Sequence, residues 1–279
     1  MEIRHRITIN ATATPELFAE FDILGIYNKK IQLPGKGGIL VSYEITESDS
    51  RWKNVSELIQ KNEVLDMVDT FFDNDEIKKA KWSRLVSTFE QGYPQPKLHW
   101  PLKQMTYKDV CQKCGTRVQS QSLRIQHEPS LGQNSFMSLL WCGEILSSQN
   151  VFEAFAGIKA TGYKAWPVLI HKSGRPSEKV SQIYISDIAL PGLIVDENYN
   201  RIKCSECGVT KYDPHMNGLM SLKRRSLLSL SKETDFVLTY EWFGSGLIAY
   251  REILVSNRVA KLILEKGWKG TRLKAVELI

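Results

Sequence analysis

Cys111-Gln112-Lys113-Cys114-Gly115 and Cys204-Ser205-Glu206-Cys207-Gly208 are two copies of one five-residue pattern, and their reading decides the fold expected for this chain of 279 residues. Two residues between cysteines let a tight turn aim both sulfurs at one point. The glycine after the second cysteine supplies a left-handed backbone position, so that neighbouring N–H groups face the thiolates. One such knuckle cannot complete a tetrahedron. Two of them supply Cys111, Cys114, Cys204 and Cys207, the ligand set of a closed structural Zn²⁺ site. Compact zinc ribbons separate their pairs by roughly 15 to 20 residues. The interval here is far longer, so one zinc ion is expected to clamp distant parts of the chain. Free thiols would leave the recurring glycine without a reason. A redox dithiol normally opens a helix, whereas glycine directly after the second cysteine reads as a turn. Four thiolates leave no open coordination position, which argues for a structural metal rather than a hydrolytic one.

A second recurrence lies downstream of each knuckle. Glu144-Ile145-Leu146-Ser147-Ser148-Gln149-Asn150-Val151 returns 108 residues later as Glu252-Ile253-Leu254-Val255-Ser256-Asn257-Arg258-Val259, and the correspondence runs on through Gly162 and Gly270 to Val168 and Val276. Each copy reads as strand, serine N-cap, amphipathic helix, glycine turn, strand. In the second copy Val259, Leu262, Ile263 and Lys266 share one helical face, and Gly267 suits the C-terminal cap. The expectation is two pseudo-repeated strand-helix-strand units bridged by one zinc, with chance similarity of two common units as the alternative.

Composition bounds the rest. A chain of this length with 42% hydrophobic residues can bury a sizeable core. Met1 to Asn10 lacks the apolar run of a signal peptide, and no stretch reaches the ~18 continuous apolar residues of a membrane helix. A cytoplasmic location is expected, and reduced thiols suit it. The net charge of +6, from 37 basic and 31 acidic residues mixed along the chain, is too weak to imply nucleic acid by itself.

Along the N-terminal third, Ile3, His5, Ile7 and Ile9 alternate with polar residues as in a half-buried strand, and His5 reads as a strand residue. Thr14-Pro15 marks the start of a helix with Leu17, Phe18, Phe21 and Leu24 at helical spacing. Leu33 to Gly38 lacks the glycine spacing of a phosphate loop and predicts a turn into the strand Ile39, Val41, Tyr43, Ile45. Asn54 with Glu57 resembles a capping box, and a second helical stripe follows at Val64, Leu65, Val68 and Phe72. Asp73 with Glu76, and Phe72 with Ile77, predict a further helix over Asn74 to Trp82. The acidic residues Asp66, Asp69, Asp73, Asp75 and Glu76 are assigned mostly to helix capping. Gln91 to Pro96 leaves regular structure, as a linker or an ordered aromatic loop. It closes an N-terminal α+β segment, residues 1–105, ahead of a double-knuckle α+β domain, 106–279.

Within that domain Val118 to Gln126 reads as extended and Phe136 to Leu140 as a buried strand. Trp166 to Ile170 and Val180 to Ile188 form a hairpin across Lys172 to Pro176, and Pro191-Gly192 breaks the chain before Leu193 to Val195. His171 and His215 stand outside any ligand pair, so packing or surface roles are assigned to them. Cys142 reads as a small buried hydrophobe. The basic cluster Lys223-Arg224-Arg225 reads as solvated. Neither a Gly-x-Ser-x-Gly elbow, a His-Glu-x-x-His pair, a dinucleotide fingerprint nor a deaminase signature occurs.

The paired Cys-x-x-Cys-Gly motifs, the stretch Leu190-Pro191-Gly192-Leu193-Ile194-Val195-Asp196 and the closing unit Ile253 to Glu277 resemble the bacterial double-CXXCG motif family. The likeness runs from about Lys108 to Ile279. Some members of that family are immunity proteins against toxins used between competing bacteria. The resemblance therefore implies a cytoplasmic, non-enzymatic protein that neutralises a cognate toxin by binding it, with zinc as a structural element. Two other readings stand beside it: a zinc-ribbon nucleic-acid binder, disfavoured by mixed charges, and an enzyme of unrecognised type, whose mark would be a deep polar pocket holding perturbed ionisable groups. The fold class expected is α+β with mixed or antiparallel sheets.

Overall fold

Strict alternation along Glu2–Asn10 and Ile39–Thr46 makes these two strands neighbours, paired antiparallel with Ile7 opposite Tyr43 and Ile9 opposite Val41. The structure is a computed structural model, and residues 1–62, 64–97, 105–193, 199–227 and 234–279 are described. The chain divides into two compact units, one formed by Met1–Asp73 with Met216–Gly218 and one by Asn74–His215 with Leu219–Ile279.

The first unit is a four-stranded antiparallel sheet in the order Asn28–Gln32, Ile39–Thr46, Glu2–Asn10, Leu65–Phe71. Its inward residues Ile7, Ile9, Val41 and Tyr43 pack with Phe21 of the helix Pro15–Ile23 and Val55 of the helix Trp52–Asn62. Each such side chain fully buried stabilises the unit by roughly 1.5–3 kcal/mol before entropy is counted. Thr14 holds the N-cap position of the first helix without a capping bond, its hydroxyl donating to the Asn10 carbonyl. The second helix starts before the expected Asn54, because Asp49 accepts the Arg51 N–H through its carboxylate and the Trp52 N–H through its carbonyl. Leu33 to Gly38 is the expected turn, closed by the Leu33 N–H on the Gly38 carbonyl.

The stripe at Val64, Leu65, Val68 and Phe72 is not a helix. Leu65–Phe71 is a strand beside Glu2–Asn10, with Val68 opposite His5. An available sheet edge outweighs local helical spacing, since a strand there pairs its backbone along seven positions. Asp66 accordingly serves no cap: its carboxylate lies 2.7 Å from His5 Nδ1, while Glu47 lies 3.3 Å from Nε2 and Trp52 covers the ring at 3.9 Å.

Burial acts to lower the His5 pKa, but Asp66 and Glu47 outweigh it and the net direction is upward from 6.5. A histidine raised on folding stabilises fully below its unfolded pKa of about 6.5, and that contribution is lost as pH rises through the folded value. The urea midpoint of the first unit is therefore expected to fall as pH climbs from about 6 past the folded pKa, and His5→Gln should flatten that slope. An NMR titration placing the His5 midpoint at or below 6.5 would contradict this.

The second unit begins with the helix Asn74–Lys79, which stops short of Trp82 because Trp82–Ser87 is a strand. That strand lies between Ile253–Ser256 and Thr271–Leu278, so the boundary expected near residue 105 falls inside this unit. Gln91 to Pro96 is an ordered loop, tied by Gln91 N–H to Ser138 O, Leu140 N–H to Gly92 O and Gln95 N–H to Arg124 O.

Two mixed sheets carry the unit. One orders Arg124–Ile125, Lys164–Ile170, Pro176–Tyr184, Ile145–Ser147 and Phe136–Ser138; the other orders Ile188–Ala189, Phe236–Thr239, Ile253–Ser256, Trp82–Ser87, Thr271–Leu278 and Met220–Leu222. The fold is thus α+β with mixed sheets. The hairpin between Lys164–Ile170 and Pro176–Tyr184 forms as expected. Val118 to Gln126 holds only short strands, at Val118–Gln119 and Arg124–Ile125. Positions 194–196, within the stretch that carries the family likeness, lie outside the described residues.

Ile145–Ser147, the helix Gln149–Gly157 and Lys164–Ile170 follow one another just as Ile253–Ser256, the helix Asn257–Lys266 and Thr271–Leu278 do. In each set the two strands are parallel and separated by one antiparallel strand, Pro176–Tyr184 in the first and Trp82–Ser87 in the second. Gly267 is the expected left-handed C-cap at φ 60°. The Thr161 carbonyl accepts the N–H groups of Asp235 and Phe236, while the Lys269 carbonyl accepts those of Ser135 and Phe136. A Cβ on Gly162 would stand 2.4 Å from the Phe236 carbonyl oxygen, and one on Gly270 would stand 2.0 Å from that of Phe136. Among the described residues no helix is long and apolar enough to cross a membrane.

Candidate metal centre

Each Cys-x-x-Cys-Gly segment is the tip of a small antiparallel ladder, Tyr107–Lys108 with Val118–Gln119 and Arg201–Lys203 with Thr210–Tyr212. The turns match bond for bond. Cys111 accepts the Gly115 N–H through its carbonyl and donates its own N–H to Thr116, as Cys204 accepts from Gly208 and donates to Val209. Gly115 and Gly208 take φ of 75° and 74°.

The four sulfurs converge. Cys111 Sγ lies 3.7 Å from Cys204 Sγ and Cys114 Sγ 3.5 Å from Cys207 Sγ, with all four within 4.8 Å of one another. These are free cysteines, as separations far above the ~2.05 Å of a disulfide require. Sulfurs bound at about 2.3 Å around a tetrahedral ion stand roughly 3.8 Å apart, so the cluster fits a thiophilic divalent metal. All four expected ligands are brought together, and neither His171 nor His215 joins them.

Backbone N–H groups favour negative sulfur in the second knuckle. The Val209 N–H leads in pulling Cys207 down to about 6, and the N–H groups of Cys207 and Glu206 lower Cys204, whereas burial pushes Cys114 up to about 11. Thr116 Oγ1 lies 3.2 Å from Cys114 Sγ and 3.7 Å from Cys207 Sγ. Lys211, 6% exposed, spends its three N–H groups on the carbonyls of Cys114, Gly246 and Ile248. Four thiolates around a divalent ion carry a net charge of −2, and a cation buried behind the first knuckle offsets part of it. Sequence reading missed Lys211 because its partners are loop carbonyls far away along the chain. Lys113 Nζ, 2.6 Å from Ser205 Oγ, ties the two turns together on the outside.

The matching turns differ in one respect. A Cβ on Gly115 would stand 2.0 Å from the Leu247 carbonyl oxygen, while one on Gly208 meets open space. Both pay for a left-handed alanine, about 1 kcal/mol, but only Gly115 adds a backbone collision. Gly115→Ala is expected to lower the melting temperature several times more than Gly208→Ala; equal shifts in thermal denaturation would refute the close approach.

A second polar cluster was not legible beforehand. Glu144 accepts from the Tyr107 hydroxyl at 2.7 Å and from the Cys142 thiol at 2.8 Å, with Arg117 at 4.0 Å and its guanidinium 4.5 Å above the Tyr107 ring. Cys142 is buried as expected, yet it serves as a donor. Burial first, and the Glu144 charge, push both the Tyr107 hydroxyl and the Cys142 thiol well above their usual values. A thiol held protonated in this way is a poor nucleophile. The one available hint was the recurrence of glutamate at 144 and 252, each of which proves to be paired with an arginine, Arg117 and Arg84.

A scan of protein-family models finds no match to the chain, and no curated protein matches its sequence. The site and sheets define an α+β protein with a four-cysteine cluster that could hold a metal ion.

Proposed function

We propose that Cys111, Cys114, Cys204 and Cys207 hold one structural zinc ion that clamps two pseudo-equivalent halves, and that the protein acts as an immunity protein, neutralising a cognate toxin by covering it. The observation that carries this reading is the closed sulfur cluster: with four thiolates a zinc ion has no position left for substrate or water. Reciprocity supports the paired halves. Thr161 and Lys269 occupy corresponding positions of the recurring segment, and each serves the strand that leads into the other copy. Such mutual contacts are those of a two-fold arrangement. Thiols kept for a metal suit the reducing cytoplasm.

Binding needs a surface rather than a reactive group. The outer face of the four-stranded sheet presents Leu65 at 62% and Met67 at 47% exposure, with Arg6 against the Met67 sulfur and Arg4 over Phe71 at 4.0 Å. Apolar and arginine anchors of this kind are enriched in interfaces. The test is co-expression with the product of the adjacent gene. A 1:1 complex that protects cells, and that Leu65→Arg with Met67→Glu weakens, is expected. A neighbouring product that is toxic yet neither bound nor neutralised by the folded protein would overturn the reading.

A further inference from the structure

Between the two mixed sheets of the second unit lies a cavity of about 260 Å³, walled by Gln182 and Tyr184 on one side and by Leu238, Ile253 and Tyr250 on the other, with Trp242 at its edge. Arg117 and Arg251 line it, and both also line the open groove beside Cys111 and Cys207. Glu144 lines it too, already engaged by Tyr107 and Cys142.

We propose that this cavity is a binding site for a small aromatic monocarboxylate. Charge comes first: two guanidinium groups face one carboxylate. Arg251 spends one nitrogen on the carbonyls of Thr239 and Tyr240 and lies 4.6 Å above the Trp242 ring. Among the described residues it forms no ion pair, and Glu241, the carboxylate that acts on it electrostatically, instead accepts the Leu193 N–H. A partly buried guanidinium with no carboxylate against it is a receptor for an anion.

Shape and polarity select the rest of the ligand. The Gln119 and Gln182 amides face each other in a reciprocal pair, 2.7 Å in both directions, so they satisfy one another and ask little of a guest. What remains is apolar and aromatic wall, which suits a ring better than a sugar or a polyol. Ligand pockets usually measure about 300–1,000 Å³, so the space admits a metabolite and excludes a dinucleotide. The Tyr107 hydroxyl also lines the space, but it already donates to Glu144, as does the Cys142 thiol nearby. This site is independent of the toxin reading, since it involves neither the exposed sheet face nor the sulfur ligands.

The test uses the full-length metal-loaded protein in titration calorimetry with indole-3-acetate, naphthalene-2-carboxylate and 4-hydroxyphenylacetate, each compared with its primary amide, and with inorganic phosphate. At least one carboxylate is expected to bind 1:1 with Kd below about 0.1 mM, its amide at least about tenfold more weakly, a difference of about 1.4 kcal/mol. Arg251→Met should cost about tenfold or more. Ser186→Trp, at an exposed position on the cavity rim, should abolish binding while leaving the melting temperature unchanged. The proposal is overturned if no carboxylate binds below about 1 mM, if acid and amide bind alike, if phosphate competes equally well, or if both variants bind as the parent does.

Discussion

Cys111→Ser or Cys204→Ser is expected to strip the protein of metal and unfold its second unit. The parent should carry about one zinc per chain by elemental analysis. Structural zinc sites in small domains contribute apparent binding free energies of roughly 10–16 kcal/mol, whereas whole domains are stable by roughly 5–15 kcal/mol. Losing one ligand therefore removes a term as large as the net stability. The effect should be strongest because the ligands come from two turns far apart in sequence, and three of the four sulfurs are partly or wholly buried. Cys142→Ser, whose thiol lies outside the cluster, should retain the metal. The core of the first unit contains none of the four ligands, so its own unfolding transition should persist in the variants. A double variant of Cys111 and Cys207 that keeps full metal content would refute the shared site.

Glu252→Ala is the second large effect expected. Arg84 Nη2 lies 2.5 Å from Glu252 Oε1, with the side chains only 5% and 8% exposed, and Arg84 Nη1 donates to the His215 carbonyl. Removing the carboxylate strands a guanidinium out of water in an inner strand of a six-stranded sheet. Breaking a buried pair in this way costs roughly 3–5 kcal/mol, far more than the up to about 1 kcal/mol of exposed pairs such as Arg175 with Glu178. Removing both charges differs in kind: Arg84→Met with Glu252→Leu should recover most of the loss, because the desolvation cost disappears with the attraction. Urea denaturation of the single and double variants measures this. A loss under about 1 kcal/mol for Glu252→Ala would mean that water reaches the pair.

Local pattern was a good guide wherever one period dominated. Ile7 and Ile9 alternate and lie in the sheet core, and the helix Asn257–Lys266 begins after Ser256, whose hydroxyl goes to Asp235 rather than to a cap, and ends at the left-handed Gly267. It failed where two periods competed. Val64 to Phe72 carries helical spacing but completes a sheet, and Trp82 was assigned to a helix although its strand partners, Ser256 and Val276, lie 174 and 194 positions downstream. The boundary expected near residue 105 lies within the second compact unit. Of the two readings of Gln91 to Pro96, linker or ordered loop, its backbone bonds to Ser138, Leu140 and Arg124 favour the ordered loop.

The amino-acid sequence by itself determined the two Cys-x-x-Cys-Gly turns, the strand-helix-strand order of the segments that follow them and the α+β class, because each rests on short-range geometry: cysteine spacing, glycine at positive φ and periodicity. Only the tertiary structure decided that four sulfurs meet, that Lys211 sits behind the first knuckle, and that Glu144 and Arg251 border a common cavity. Those are contacts between residues remote in the chain, and no local interaction encodes which distant side chains a folded backbone will bring within bonding distance.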